Sequence, residues 1–136
     1  MANNRSIVAL DVGEKRIGVA VADTAVRIAV AYGTIEVDGT EREAIARTMV
    51  NEHADTLVIG YPRNQAGEPT AQTAYVEAFR KSLNDIAEYV VFQDESLTSV
   101  LAEQRLKSHK KPYSKGDIDA QAAAIILQDY LEIHHV

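Results

Sequence analysis

Acidic residues that follow apolar segments are the part of this sequence best suited to chemistry. Asp11 ends the apolar run at residues 7–10, and Asp94 and Glu95 follow another apolar run at residues 89–92. A carboxylate at the edge of an apolar core is costly unless it is paired, and a divalent cation is one of the few partners strong enough. Asp11 is therefore a candidate metal ligand, and a turn-initiating aspartate that accepts backbone hydrogen bonds is the alternative.

Two more acids, Asp117 and Asp119, open the last predicted helix. Residues two apart on a helix face roughly 200° apart, so only one of these carboxylates can easily point toward a sheet. Acids from three distant segments, without a histidine or cysteine cluster, suit Mg²⁺ or Mn²⁺ better than Zn²⁺. Paired cations at such a cluster can activate water and stabilise the leaving oxygen in phosphoryl transfer.

The pattern of predicted strands and helices around these acids indicates an α/β fold. The apolar periodicity predicts five strands and four helices. Strands are predicted over residues 5–11, 17–22, 28–37, 56–59 and 89–92, and helices over about 40–53, 69–86, 100–106 and 120–131. The first three strands form an antiparallel meander, with an interruption at Gly33, and the last two pair in parallel. The result is a mixed five-stranded sheet flanked by helices.

Local signals predict where two helices begin, and the strand ends predict where the acids meet. Thr40 with Glu43, and Ser114 with Asp117, fit the spacing of a capping box. The carboxyl ends of parallel strands and their loops converge at one edge of such a sheet. We therefore expect Asp11, residues 60–62 and residues 94–95 to meet there.

Length, cysteine content and net charge limit the classes of protein to which this chain can belong. At 136 residues the chain suits one domain, residues 1–136. The absence of cysteine excludes disulfides, a thiolate zinc site and a cysteine nucleophile. The start of the chain has no signal-peptide core or bilayer-spanning segment, so we expect a cytoplasmic protein without membrane contact. The net charge of −6 argues against broad, non-specific attraction to nucleic acid, although a local basic patch is compatible with it.

Basic side chains near the predicted edge are candidates for nucleic-acid contacts. The candidates are Arg16, Arg63, Lys110, Lys111 and Lys115. Such residues contact phosphates, and Tyr113 within the lysine-rich segment could stack on a base. A solvated lysine loop is the alternative for residues 107–116.

Four segments of the chain resemble the motif blocks of the YqgF family, which is related to RuvC-type Holliday-junction resolvases. The segments are IVALDVGEKRIGVAVAD, VIGYPRNQAGEPTAQTAYVEAF, DESLTSVLAEQRL and KGDIDAQAAAIILQDYL. They cover nearly the whole chain, in order. The resemblance implies an RNase H-like fold. It also implies a metal-dependent nuclease, a hydrolase acting on ester bonds, in 5′-end processing of the 16S ribosomal RNA precursor.

The same resemblance assigns the site residues. It places the catalytic and metal-ligating acids at Asp11, Glu95 and Asp119, with Mg²⁺ or Mn²⁺ as cofactor, and leaves Asp117 outside the pattern. From context alone, Glu95 and Asp119 would be solvated acids near helix N-termini. The family usually has arginine where this chain has Ser96. That departure removes either a bidentate phosphate contact or an ion-pair partner for the acids, and we expect it to affect substrate affinity more than metal binding.

Several functions stay open at this point. The partner could be structured RNA, including the ribosomal RNA precursor, or branched DNA as in a Holliday junction resolvase. A non-catalytic RNA-binding ribosome-assembly factor is a further alternative. The turn after Asp11 also resembles the phosphate loop of actin-like ATPases and sugar kinases, but those enzymes close two domains around a nucleotide. The chain could be a monomer or a homodimer, and junction resolution would require a dimer with two opposed sites.

Overall fold

The secondary structure alternates as the apolar pattern predicts. The computed structural model describes residues 5–62, 68–95, 98–109 and 112–134, with only the backbone of residues 98–100. The strands are β1 (Ser6–Val12), β2 (Arg16–Asp23), β3 (Val30–Glu36), β4 (Ala54–Pro62) and β5 (Tyr89–Glu95). The helices are α1 (Glu41–Asn51), α2 (Ala71–Lys81), α3 (Thr98–Ser108) and α4 (Lys115–His134).

All five strands form one mixed sheet in the order β3-β2-β1-β4-β5. β1 pairs antiparallel with β2, and β2 pairs antiparallel with β3. β4 pairs in parallel with β1 and with β5. The predicted mixed sheet, with an antiparallel meander followed by two parallel strands, is confirmed.

Alternate side chains of the central strands enter two separate cores. On one face, Leu10 of β1 lies in a cluster with Ile45 of α1 and Val76 of α2. On the other face, Ala9 of β1 lies in a cluster with Ile126 of α4. Because the central strands are covered on both faces, they read in the sequence as continuous apolar runs rather than as an alternating pattern.

Helix α4 is the element that contacts every strand of the sheet, and α3 packs against its outer side. It approaches β2 very closely at Gly18, where a Cβ atom would overlap the backbone carbonyl of Asp119. Thr34 of β3 also donates a hydrogen bond to the carbonyl oxygen of Gly116 at 2.8 Å. These contacts fix the first turns of α4 over β2 and β3.

Local signals in the sequence had mixed outcomes. The capping box predicted at Thr40 is wrong, because its side chain makes no cap hydrogen bond and donates instead to Asp38 at 2.6 Å. The one predicted at Ser114 is present, with reciprocal hydrogen bonds to Asp117 of 2.9 and 3.2 Å. The interruption predicted at Gly33 is a bulge: Val19 pairs with Gly33 and Ala20 with Ala31.

The close approach at Gly18 makes a stability prediction. Gly18→Ala places a methyl group against the backbone of α4, which must shift, so we expect the free energy of unfolding to fall by about 2–3 kcal/mol. The measurement is equilibrium unfolding in urea. The matched control is Gly33→Ala, since no described heavy atom lies within 4 Å of a Cβ there. A Gly18→Ala protein as stable as this control would contradict the packing.

Candidate active site at the carboxyl edge of the sheet

Three acidic side chains predicted to act together come from three elements that meet at one edge of the sheet. Asp11 is near the end of β1, Glu95 is the last residue of β5, and Asp119 lies in the second turn of α4. Asp11 follows Ala9 by two positions and so lies on the face that α4 covers. By the same alternation, Glu95 lies on that face with Val91. The fold therefore brings Asp11 and Glu95, which are 84 positions apart along the chain, to one edge.

Gly60 of β4 makes the space that the Glu95 carboxylate occupies. A Cβ atom on Gly60 would overlap Oε2 of Glu95 and crowd the side chain of Ile126. The Oε2 atom is buried and has no hydrogen-bond partner among the described residues. An unsatisfied buried carboxylate oxygen is costly, and such a group is a common place for a ligand or an ion.

Burial and mutual repulsion disfavour the charged forms of the two central acids. Burial, and to a smaller extent the negative charges of Glu95 and Asp119, raise the pKa of Asp11 to about 8. Burial likewise raises the pKa of Glu95 to about 7. A cation between these carboxylates would reverse both effects, because it favours the ionised forms.

Asp119 has a different partner from the other two acids. Nε of Arg16, the first residue of β2, donates a hydrogen bond to Oδ2 of Asp119 at 2.9 Å. Both side chains are partly accessible, with exposed fractions of 30% and 25%. Asp117, two residues earlier, points away and caps α4. Only Asp119 of the two faces the sheet edge, as their helical spacing predicts.

A cavity of about 420 Å³ lies beside this ion pair. It is lined by Gly13, Glu14, Lys15, Arg16, Gln72 and Asp119. Gln72 is fixed by a hydrogen bond of 2.9 Å from its Nε2 to the carbonyl oxygen of Val12. The turn between β1 and β2, the start of α2 and the start of α4 thus border an open space whose wall carries two cationic and two anionic side chains.

Sequence reasoning missed Lys15 and Gln72 at this edge, and it placed residues 60–62 there without finding the role of Gly60. Lys15 could have been found from its place beside Arg16 in the turn, and Gly60 from being a glycine inside an apolar strand, which often marks a close approach. Gln72 has no local signal, because its role depends on where α2 packs.

The structure describes one of the four remaining predicted site residues, Lys115. Lys115 is exposed at the first position of α4 and is not part of the cavity wall. Arg63, Lys110 and Lys111 lie outside the described residues, as does Ser96. Within the described ranges, no three His, Cys, Asp or Glu side chains are spaced to hold a metal ion together. The assignment of Asp11, Glu95 and Asp119 as catalytic metal ligands stays a prediction.

The fold is that of RuvC-like proteins. It is shared with Thermus thermophilus RuvC in complex with a Holliday junction substrate, with a TM-score of 0.58, 12% identity and 96% of both chains covered. The fowlpox virus resolvase, solved with Holliday junction DNA, gives a TM-score of 0.57 at 14% identity, covering 95% of this chain and 98% of that one. These likenesses confirm the predicted RNase H-like architecture.

The chain belongs to the RuvX family, whose model, described as Holliday junction resolvase, matches residues 5–133. A protein of Chloroflexus aggregans with the name "Putative pre-16S rRNA nuclease" is 42% identical, covering 96% of this chain and 95% of that protein. A protein of Synechocystis sp. with the same name is 38% identical, covering 98% and 91%. The family resemblance drawn from the four motif blocks is confirmed.

In the described part of the chain, every helix is too short or too polar to span a bilayer.

The raised pKa values predict how stability depends on pH. Folding raises the pKa of Asp11 from 3.8 to about 8 and that of Glu95 from 4.5 to about 7. The folded state therefore binds more protons than the unfolded state between these values, so the free energy of unfolding falls as pH rises from about 4 to about 8. Asp11→Asn removes one such group, and we expect the variant to exceed wild type by at least ~1 kcal/mol at pH 8 without divalent cations.

Urea unfolding in a chelating buffer, from pH 4 to pH 8.5, measures this difference. The control is Asp38→Asn, since hydrogen bonds from Thr40 lower the pKa of Asp38 and the substitution should have the opposite sign. Equal stability of wild type and Asp11→Asn at pH 8 would contradict the raised pKa.

Proposed function

We propose that this chain is a single-domain nuclease, residues 1–136, that hydrolyses phosphodiester bonds at the edge formed by Asp11, Glu95 and Asp119. The observation that carries the proposal is the buried pair Asp11 and Glu95, with one carboxylate oxygen lacking a partner among the described residues. Membership in the RuvX family supports the reaction class.

The three carboxylates have the ligand chemistry that a divalent cation requires. Oxygen ligands without sulfur or imidazole suit Mg²⁺ or Mn²⁺, and a positive charge near Asp11 and Glu95 would favour the ionised forms that burial disfavours. Asp11 and Glu95 would hold the cation, with Asp119 as the third ligand. A bound cation would supply positive charge that stabilises the negative charge developing on the phosphate.

The other side chains of the edge bind and orient the substrate. Lys15 and Arg16 line the cavity next to Asp119, where a backbone phosphate of a nucleic acid can lie. Gln72 is held by its hydrogen bond to the carbonyl oxygen of Val12 and lines that cavity. Contacts of this kind fix register without reading sequence, so the cleavage position would depend on the shape of the nucleic acid.

We propose 5′-end processing of the 16S ribosomal RNA precursor in the cytoplasm as the biological reaction, with Mg²⁺ as cofactor. Support comes from the names of relatives that are 38–42% identical over nearly the whole chain. Cleavage of branched DNA is the second candidate, because the family model and two proteins of the same fold are described as Holliday junction resolvases or their complexes.

The test is cleavage of a pre-16S RNA fragment and of a four-way DNA junction by purified protein with Mg²⁺. We expect wild type to cleave the RNA, and Glu95→Gln to lose at least about 100-fold in rate, or ~2.7 kcal/mol of transition-state stabilisation. The substitution preserves shape but removes the charge of the buried acid.

The matched control is Asp94→Asn, which removes the same charge from the exposed neighbour of Glu95 and should keep wild-type activity. Faster cleavage of the junction than of the RNA would favour the DNA function. Equal RNA cleavage by wild type and Glu95→Gln would reject the site, and RNA binding without cleavage of either substrate would indicate a non-catalytic factor.

A further inference from the structure

The ion pair between Arg16 and Asp119 indicates a further role for Arg16. Nε of Arg16 lies 2.9 Å from Oδ2 of Asp119, across 103 positions of sequence, so the tertiary fold creates the pair. Asp119 also repels the ionised form of Asp11, which places its negative charge close to the buried acids. The guanidinium therefore neutralises one of the acids that the proposed function assigns to the cation.

The ion pair and a cation compete for the same carboxylate. An oxygen that accepts a charge-assisted hydrogen bond from arginine has less negative charge to offer an ion, and the guanidinium repels a nearby cation. Since both side chains are partly exposed, at 30% and 25%, the pair is accessible to an incoming group. Another anion that pairs with Arg16 would favour separation of the pair.

The cavity next to the pair offers a place for that anion. Its wall carries the cations Lys15 and Arg16 as well as the anions Glu14 and Asp119, and its volume of about 420 Å³ exceeds that of a phosphate group. A guanidinium binds phosphate through two parallel N–H donors, a geometry at least as favourable as its single contact with Asp119. A backbone phosphate in this cavity would therefore be a suitable new partner for Arg16.

We propose that Arg16 is a positioning residue that holds Asp119 until a backbone phosphate of the nucleic acid enters the cavity lined by Lys15, Arg16 and Gln72. The guanidinium then pairs with the phosphate, and Asp119 becomes available to the cation beside Asp11 and Glu95. Substrate and cation consequently bind with positive cooperativity, each favouring the other by the same factor. This inference rests on the proposed function.

The first test is Mn²⁺ binding measured by calorimetry, which needs no turnover. Arg16→Gln removes the competing guanidinium, and we expect it to bind Mn²⁺ at least about fivefold more tightly than wild type. Arg16→Lys keeps the charge and should lie between the two. Lys15→Gln is the matched control, because it removes one positive charge from the same cavity without breaking the ion pair with Asp119.

A second substitution separates direct competition from general charge effects. In an Asp119→Asn background, Arg16→Gln should change Mn²⁺ affinity by less than about twofold. The reason is that the carboxylate for which Arg16 and Mn²⁺ compete is absent. A purely structural role for Arg16 predicts weaker Mn²⁺ binding in the variant, together with a lower midpoint of thermal unfolding.

Cooperativity is measured by repeating the titrations with a 2′-O-methyl phosphorothioate RNA duplex, which resists hydrolysis. Wild type should gain at least about fivefold in Mn²⁺ affinity when the duplex is bound, whereas Arg16→Gln should gain much less. Mn²⁺ binding by Arg16→Gln no tighter than by Lys15→Gln would overturn the role of Arg16. If wild type still cleaves RNA and Glu95→Gln does not, that outcome leaves the nuclease function intact.

Discussion

The close packing of α4 on one face of the sheet is the constraint on which the site depends. Gly18 permits the backbone of α4 to lie against β2, and Gly60 leaves room for the Glu95 carboxylate beneath Ile126. Arg27 fixes the far end of the helix through a hydrogen bond of 2.7 Å to the carbonyl oxygen of Leu131. A helix held this closely shields Asp11 and Glu95 from part of the solvent, and that shielding raises their pKa values.

The electrostatics of the edge follow from this packing. Burial favours the neutral forms of Asp11 and Glu95. Ionisation of these two carboxyl groups therefore lowers the stability of the folded protein. Proteins keep costly groups of this kind chiefly at functional sites. Arg16 offsets part of the charge through Asp119, which leaves the two buried acids as the main attraction for a cation.

Much of the fold could be predicted because its signals are local or periodic. The apolar runs at β1, β4 and β5 indicated strands covered on both faces, and the Ser114 signal gave the start of α4. The same kind of signal failed at Thr40, whose hydroxyl donates to Asp38 and accepts no hydrogen bond from the first turn of α1. A capping motif indicates which hydrogen bonds a hydroxyl can form, whereas neighbouring side chains determine which of these it forms.

The sequence by itself determined the fold class, the family and the three acids that the family motifs mark. These depend on residue type, spacing and order along the chain, which folding does not alter. Only the tertiary structure decided that Asp119 pairs with Arg16, that Gly60 makes room for Glu95, and that Lys15 and Gln72 share a cavity wall. Those relations depend on how α2 and α4 dock on the sheet, and docking is set by packing among distant residues rather than by any local pattern.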